Sequence, residues 1–392
     1  MPSRAWPPPP TRLDQLRLVG DPPADEVVRG IFEARGPVAI DQLRRGLFRY
    51  EAAEDALPME AASFMAEPVD AVQLEIGRGQ DLFQELGPEV LLILGCYSLP
   101  AAYAATKGAR VLAQTGFLTE DTDRRLGETT QMVVDVMSTG GLEPGGTGVW
   151  AARKVRLMHA AIRHLVLART DLRWDTERDG IPINQEDLAA TLMTFSYLVV
   201  TGLRRLGFWV SSTDAEDYLA AWKVVGGLMG VLPELIPEDL DEAGQLTKGI
   251  ESRQIAPGDV GHGLTKALLA VLDAKTTPGV PAALMRRMLP RSVCDGLGVP
   301  RHKVRDGLVV GLCGLVRLID PVLQLFGTRT AAYRRFSMDL VQYLIERDRG
   351  GERAEFRLPT ELHDFWKDQG DRNAPGARIA NRVLAAGAPR PA

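Results

Sequence analysis

Apolar residues along this 392-residue chain recur every three or four positions, the interval that lines one face of a helix, and clean two-residue alternation is nearly absent. Several segments carry start and stop signals. Thr119 precedes EDTDRRLGETTQMVVDVMS, whose first turn is acidic. Asn184 precedes QEDLAATLMTFSYLVVTGLRRLG, with Glu186 and Asp187 at the positive end of the helix dipole and Gly207 as the stop. Thr213 precedes DAEDYLAAWKVVGGLMG, and Pro237 opens EDLDEAGQLTKGIESRQ as a first-turn proline. Further helical patterns begin near Asp70, Pro88, Gly148, Asp259, Val280, Lys303 and Thr328. The connections at Gly140, Asp179 and Thr276 are rich in Gly and Pro. No internal repeat, heptad or composition break interrupts about 25–370. The pattern predicts an all-α protein with one large helical domain over 23–370. It predicts flexible ends: a Pro-rich N-terminal tail over 1–22 and a C-terminal tail over 371–392.

Composition narrows the function. Hydrophobic residues make up 45% and charged residues 25%, too apolar for a disordered chain. The net charge of −5 and the 6% of aromatics argue against a nucleic-acid partner. Cys96, Cys294 and Cys313 are odd in number and scattered, with no CxxC, so neither a disulfide framework nor a zinc knuckle is expected. The first residues contain no apolar secretory core, and no apolar run approaches the ~20 residues of a membrane span. The run from Val90 is broken by Pro100, and that from Gly307 carries Arg317. The expectation is a cytoplasmic protein with no transmembrane segment.

Most standard catalytic patterns are missing. No HExxH and no GxSxG occurs, and the Gly-rich GGLEPGGTGVW lacks the strand and Lys-Ser/Thr of a phosphate loop. His159 and His164 point about 140° apart on a helix, at ~100° per residue, and cannot share a metal. His159 itself has unusual company. Its face also carries Ala152, Val155, Ile162 and Val166, with Arg156 and Arg163 one turn to either side. A neutral imidazole on an apolar stripe bracketed by guanidiniums suits a haem, with iron on the ring and propionates on the arginines. The competing reading is a core histidine between two arginines snorkelling to the surface. On a second helix, Arg125, Glu128 and Thr129 continue the apolar stripe of Met132 and Val136, a costly face unless it meets a cavity, ligand or charge. The alternative is an ordinary ion pair on a solvated face. On a third, Thr191 shares a face with Leu188, Leu192, Phe195 and Leu198, where a threonine usually bonds back to its own helix.

Together these three helices resemble the latex clearing protein, or rubber oxygenase, family, which includes the oxygenase that cleaves the farnesyl side chain in mycophenolic acid biosynthesis. The run Val155-Arg156-Leu157-Met158-His159 is similar to the motif of that family's proximal haem ligand. The family's distal helix carries Arg-x-x-Lys-Thr at a set spacing before the ligand. Arg125 stands at that spacing from His159 (159 − 125 = 34), and Thr129 matches the Thr. The family also has a pocket Thr at a set spacing after the ligand, and Thr191 falls there (191 − 159 = 32). The resemblance covers about 85–210 in motif terms. It implies a globin-like all-α core and haem b ligated by His159, with Arg156, Arg163, Arg125 and Thr191 around the cofactor. It implies an oxygenase acting with dioxygen on a hydrophobic small molecule, with Arg125, Glu128 and Thr129 on the catalytic side. Two departures matter: Glu128 replaces the family's distal Lys, and Ala109 stands where an upstream acid is expected. With no export signal, a small alkene- or prenyl-containing substrate is expected in place of a polymer. A peroxide-using haem enzyme, a non-catalytic haem or apolar-ligand binder and a cofactor-free interaction protein are the alternatives.

Overall fold

The structure, a computed structural model, describes residues 6–34, 42–43, 46–47, 57–67, 76–114, 122–169, 174–325, 334–335 and 337–341. Among these residues there is no strand, only an isolated bridge between Ala105 and Ile255. The fold is all-α, as the periodicity predicts. In chain order the helices are α1 (Pro10–Leu16), α2 (Pro22–Ala34), α3 (Met59–Met65), α4 (Ile76–Ile93), α5 (Leu99–Ala104) and α6 (Thr106–Gln114). Next come α7 (Thr122–Met137), α8 (Thr147–Ala168), the single turn α9 (Thr176–Asp179), α10 (Gln185–Phe195), α11 (Tyr197–Leu206) and α12 (Ser212–Leu228). The last are α13 (Leu240–Gln254), α14 (Asp259–Lys275), α15 (Val280–Met288), α16 (Arg291–Gly296) and α17 (Lys303–Leu325).

One large core runs from α1 through α4, α7, α10–α12 and α15. A smaller apolar cluster, with Val28, Ile31, Phe64, Leu157 and Leu165, joins α2 and α3 to the outer face of α8. Thus α8 is buried on two sides, which explains why its apolar residues outnumber those of a surface helix.

Several boundaries differ from the sequence reading. Asn184 caps α10 as expected, its side chain accepting from the Asp187 N–H. But the predicted long helix breaks at Ser196 (φ −105, ψ −80). The carbonyls freed there are taken by hydroxyls: Ser98 Oγ donates to Thr194 (2.6 Å) and Tyr218 Oη to Phe195 (3.2 Å). A tertiary hydrogen-bond supply therefore overrides local periodicity. Gly207 ends α11 at φ 103, a conformation that favours glycine. Ser211, not Thr213, caps α12, and α13 begins after its cap Asp239, so Pro237 lies ahead of the helix and not in its first turn. Thr119, Thr328, the start near Asp70 and the tail 371–392 lie outside the described residues.

The N-terminal tail expectation is corrected more sharply. Residues 10–16 form α1, with Leu13 and Leu16 fully within the main core. The prolines open the helix instead of preventing it.

Pro100 does not interrupt the apolar run from Val90 as expected, and Pro88, expected to begin a helix, lies inside α4. They are absorbed by a kink at Leu86 (φ −120, ψ 27) and by a π-helical stretch over Leu94–Ser98. The resulting helical run Arg78–Ala104 is 27 residues long, and its most apolar window of 18 residues has a mean hydropathy of 1.3, long and apolar enough to cross a membrane by length and composition alone; 67% of that window is buried inside the fold.

Candidate active site

Helices α7 and α8 form an antiparallel hairpin through the turn at 138–146. Its pinning point is Gly148, where a Cβ would lie 2.5 Å from Val136 Cα and 2.7 Å from the Asp135 carbonyl oxygen. Only glycine allows so close an approach of two backbones. Arg125 back along α7 and His159 forward along α8 are equally far from this contact in sequence (136 − 125 = 159 − 148). At the helical rise of roughly 1.5 Å per position, both stand about 16 Å from the pin, at one level of the hairpin.

His159 keeps part of its surface accessible, while its Nδ1 is sealed from solvent and has no hydrogen-bond partner. Burial, aided by the positive charge of Arg163, pushes its pKa down to about 3. The ring is therefore neutral at any physiological pH, with a lone pair available to a metal.

The flanking arginines behave differently from the sequence reading. Arg156 gives Nε and Nη2 to the two carboxylate oxygens of Asp21, at 2.5 and 2.8 Å. Arg163 is completely buried and donates to Asp25 and to the carbonyls of Pro182 (3.0 Å) and Ile183 (2.8 Å). Its three nitrogens are all committed, so its expected role as a propionate partner is corrected: Arg163 holds the N-terminal segment to α8. Burial raises the Asp25 carboxyl above its ordinary range, while Arg163 and the Asp21 N–H pull the other way.

Asp21 and Asp25 belong to a strap that sequence reasoning missed. It crosses α8 and α10 over residues 17–25. Arg17 Nη1 reaches Glu186 (3.1 Å) and Asp187 (2.9 Å), and the fully buried Glu186 also accepts from Arg253 Nε (2.9 Å) and Gln254 Nε2 (2.8 Å). Gln185 Nε2 donates to the Gly20 carbonyl at 2.7 Å. Two aspartates four apart at a helix start read as a dipole cap, and nothing in the sequence shows that guanidiniums 135 and 138 residues away meet them.

On α7, Glu128 lies on the inner face at 2% exposure, so a solvated ion pair is not its setting. Its carboxylate accepts from Arg124 Nη1 at 3.0 Å, one turn earlier; the sequence reading weighed only Arg125 as partner. Arg125 is half-buried with its charge near the buried Tyr103 phenol. Thr129 is half-buried beside it. Thr191 is exposed, and its hydroxyl donates to the Asp187 carbonyl at 2.8 Å, the local back-bond. Its expected place against the cofactor is corrected accordingly. Ala109 is buried on α6 and brings no acid to the site.

An all-α bundle with a neutral histidine on one arm of a hairpin and a buried acid–arginine face on the other has the makings of a cofactor-dependent oxidoreductase. The family described as ER-bound oxygenase mpaB/B'/Rubber oxygenase, catalytic domain, matches residues 85–319, more than half of the chain. The chain belongs to this family and is an oxygenase. It is 27% identical to the Rubber oxygenase of Streptomyces sp. (strain K30) over 299 residues, 74% of this chain and 73% of that protein. The solved structure of latex clearing protein LCP in the closed state matches with a TM-score of 0.63 and 21% identity, over 94% of this chain and 91% of the other. At that identity the likeness concerns the fold.

Proposed function

We propose that this oxygenase uses haem b, with His159 as its one protein ligand to iron, and acts on a hydrophobic small molecule carrying an alkene or prenyl group. The observation that carries the reading is His159 itself. A half-buried imidazole kept neutral, with part of its surface accessible and no partner at Nδ1, has the right chemistry for a ligand. Arg156 supports the fit, because Nη1 has no partner among the described residues and is free for a propionate. Arg163 does not fit as a propionate ligand, and Thr191 is spent on its own helix.

When bound, haem supplies an iron at which dioxygen can be activated. The protein's own part follows from the inner face of α7. Arg125, level with His159 on the facing arm, donates hydrogen bonds to an electronegative group placed between the helices. Glu128 holds or passes a proton at its carboxylate, with Arg124 keeping that carboxylate oriented. Thr129 supports the same face. Met132, Leu192 and Phe195 offer apolar surface to a hydrocarbon chain and exclude water from it.

The test is a visible spectrum of the purified protein, then oxygen uptake with a short isoprenoid. A Soret band lost in His159→Ala, with helicity kept, together with carbonyl products from the alkene, is the expected result. Full haem retention in His159→Ala, or turnover that needs peroxide and not dioxygen, sinks the corresponding half of the proposal.

A further inference from the structure

Outside this site, the most unusual surface is α17. Only a narrow stripe of it, with Val309 and Cys313, is buried against the fold. Its outer face presents Val304, Leu308, Leu315, Leu318 and Val322, each between 48% and 77% exposed. A monomer seldom leaves so many large apolar side chains in one row.

The spacing of that row specifies what would cover it. With Gly311 it runs 304, 308, 311, 315, 318, 322: steps of four, three, four, three and four. This is the seam of a coiled coil, which is shaped to receive another helix. The sequence hides it, because Val309, Val310, Leu312 and Val316 fill the intervening positions and blur the period. A Cβ built on Gly307, Gly311 or Gly314 would meet nothing within 4 Å, so the middle of the row is open to a close neighbour.

We infer that α17 pairs with α17 of a second copy of this chain, antiparallel, about a two-fold axis at residue 313. In that register the row is complementary to itself. Gly311 faces Leu315, Leu308 faces Leu318, and Val304 faces Val322, because each pair sums to 626. The large Leu315 enters the space over Gly311 of the opposite copy, and the remaining layers match like with like. The antiparallel arrangement also opposes the two helix dipoles. Five half-exposed aliphatic side chains, with Leu312 and Ile319 beside them, would remove on the order of 600 Å² of surface per copy, close to the ~800 Å² per partner of a standard stable interface. The period of the row favours a helix over a lipid surface, which has no register to match.

The test is light scattering on the full-length protein at micromolar concentration, with Leu315→Glu and the cysteine variants Leu308→Cys and Leu318→Cys. The expected result is twice the 42.8 kDa chain mass for the wild type and a single chain for Leu315→Glu, with unchanged helicity. Mixed Leu308→Cys and Leu318→Cys chains should cross-link on mild oxidation, and neither should cross-link efficiently to itself. The native Cys96, Cys294 and Cys313 are buried and should stay silent. A monomeric wild type overturns the inference. So does Leu308→Cys cross-linking to itself, which means a parallel pair. Flotation of monomers with neutral phosphatidylcholine vesicles, lost in Leu315→Glu, overturns it in favour of a membrane surface. A monomer destabilised by Leu315→Glu overturns it in favour of the chain's own C-terminal residues covering the face.

Discussion

At the scale of single residues, burial decides the charge of the histidines on α8. His164 is a clear case. It lies 1% exposed against Phe32, ring centroids 4.6 Å apart, and both its nitrogens lack partners. Burial lowers its pKa from 6.5 to about 4. Between those values the unfolded chain binds a proton that the folded chain refuses, so stability falls as pH drops from 6.5 toward 4 and is unaffected above 6.5. Urea unfolding at pH 7 and pH 4.5 should show His164→Phe losing less stability than wild type, by about 2 kcal/mol. An equal loss in both proteins would mean the ring is solvated. Glu128→Gln should retain haem and slow turnover by roughly 10²–10⁴-fold, read in oxygen uptake. Unchanged turnover would reduce Glu128 to a partner of Arg124. These positions were legible in the sequence because each departs from the character of its stripe, a polar group where the period demands an apolar one. The identity of their partners was not, since Arg124 and Arg125 are equally available to Glu128 along a helix and only packing chooses between them.

At the scale of elements, the hairpin of α7 and α8 sets the level of Arg125 against His159, and its pin is a single missing Cβ. Gly148→Ala would drive a methyl into Val136 and Asp135 backbone that has no rotamer to yield. A loss of about 1–3 kcal/mol is expected, measured by denaturation, together with weaker haem retention as the arms shift. The strap acts on α8 from the other side. Arg163→Leu leaves Asp25 and two carbonyls buried without their donor and should cost about 3–5 kcal/mol. Arg156→Leu, which leaves the buried Asp21 carboxylate without its guanidinium but frees no backbone carbonyl, should cost less and affect haem retention more. Equal effects of the two on both readouts would contradict the division of labour between these arginines.

At the scale of the whole molecule, the N-terminal segment is part of the fold and not an appendage. Deleting residues 1–22 removes Leu13 and Leu16 from the core and leaves Glu186, Arg156 and Arg253 short of partners. That deletion should lower the melting temperature strongly or prevent soluble expression. A truncated protein that melts with the full chain would restore the flexible-tail reading. The buried charges it organises, Arg17, Glu186 and Arg163, gain little over apolar residues of the same shape, yet each is severely costly to leave alone. Such a network ties distant helices to one arrangement.

What the sequence determined by itself is what depends on neighbours a few residues apart. Helix class follows from the three-to-four period, the Asn184 cap and the Gly207 stop from local hydrogen bonding and steric freedom, and the unusual character of His159 and Glu128 from their place on a stripe. What only the tertiary structure decided involves partners distant in the chain. The break at Ser196 exists because Ser98 and Tyr218 arrive to satisfy its carbonyls, and Arg163 is unavailable to any ligand because Asp25 and the carbonyls of Pro182 and Ile183 take its nitrogens. The row on α17 counts as a seam only because the fold leaves it uncovered. Periodicity records which face of a helix is apolar, and burial energy depends on what the rest of the chain brings to that face.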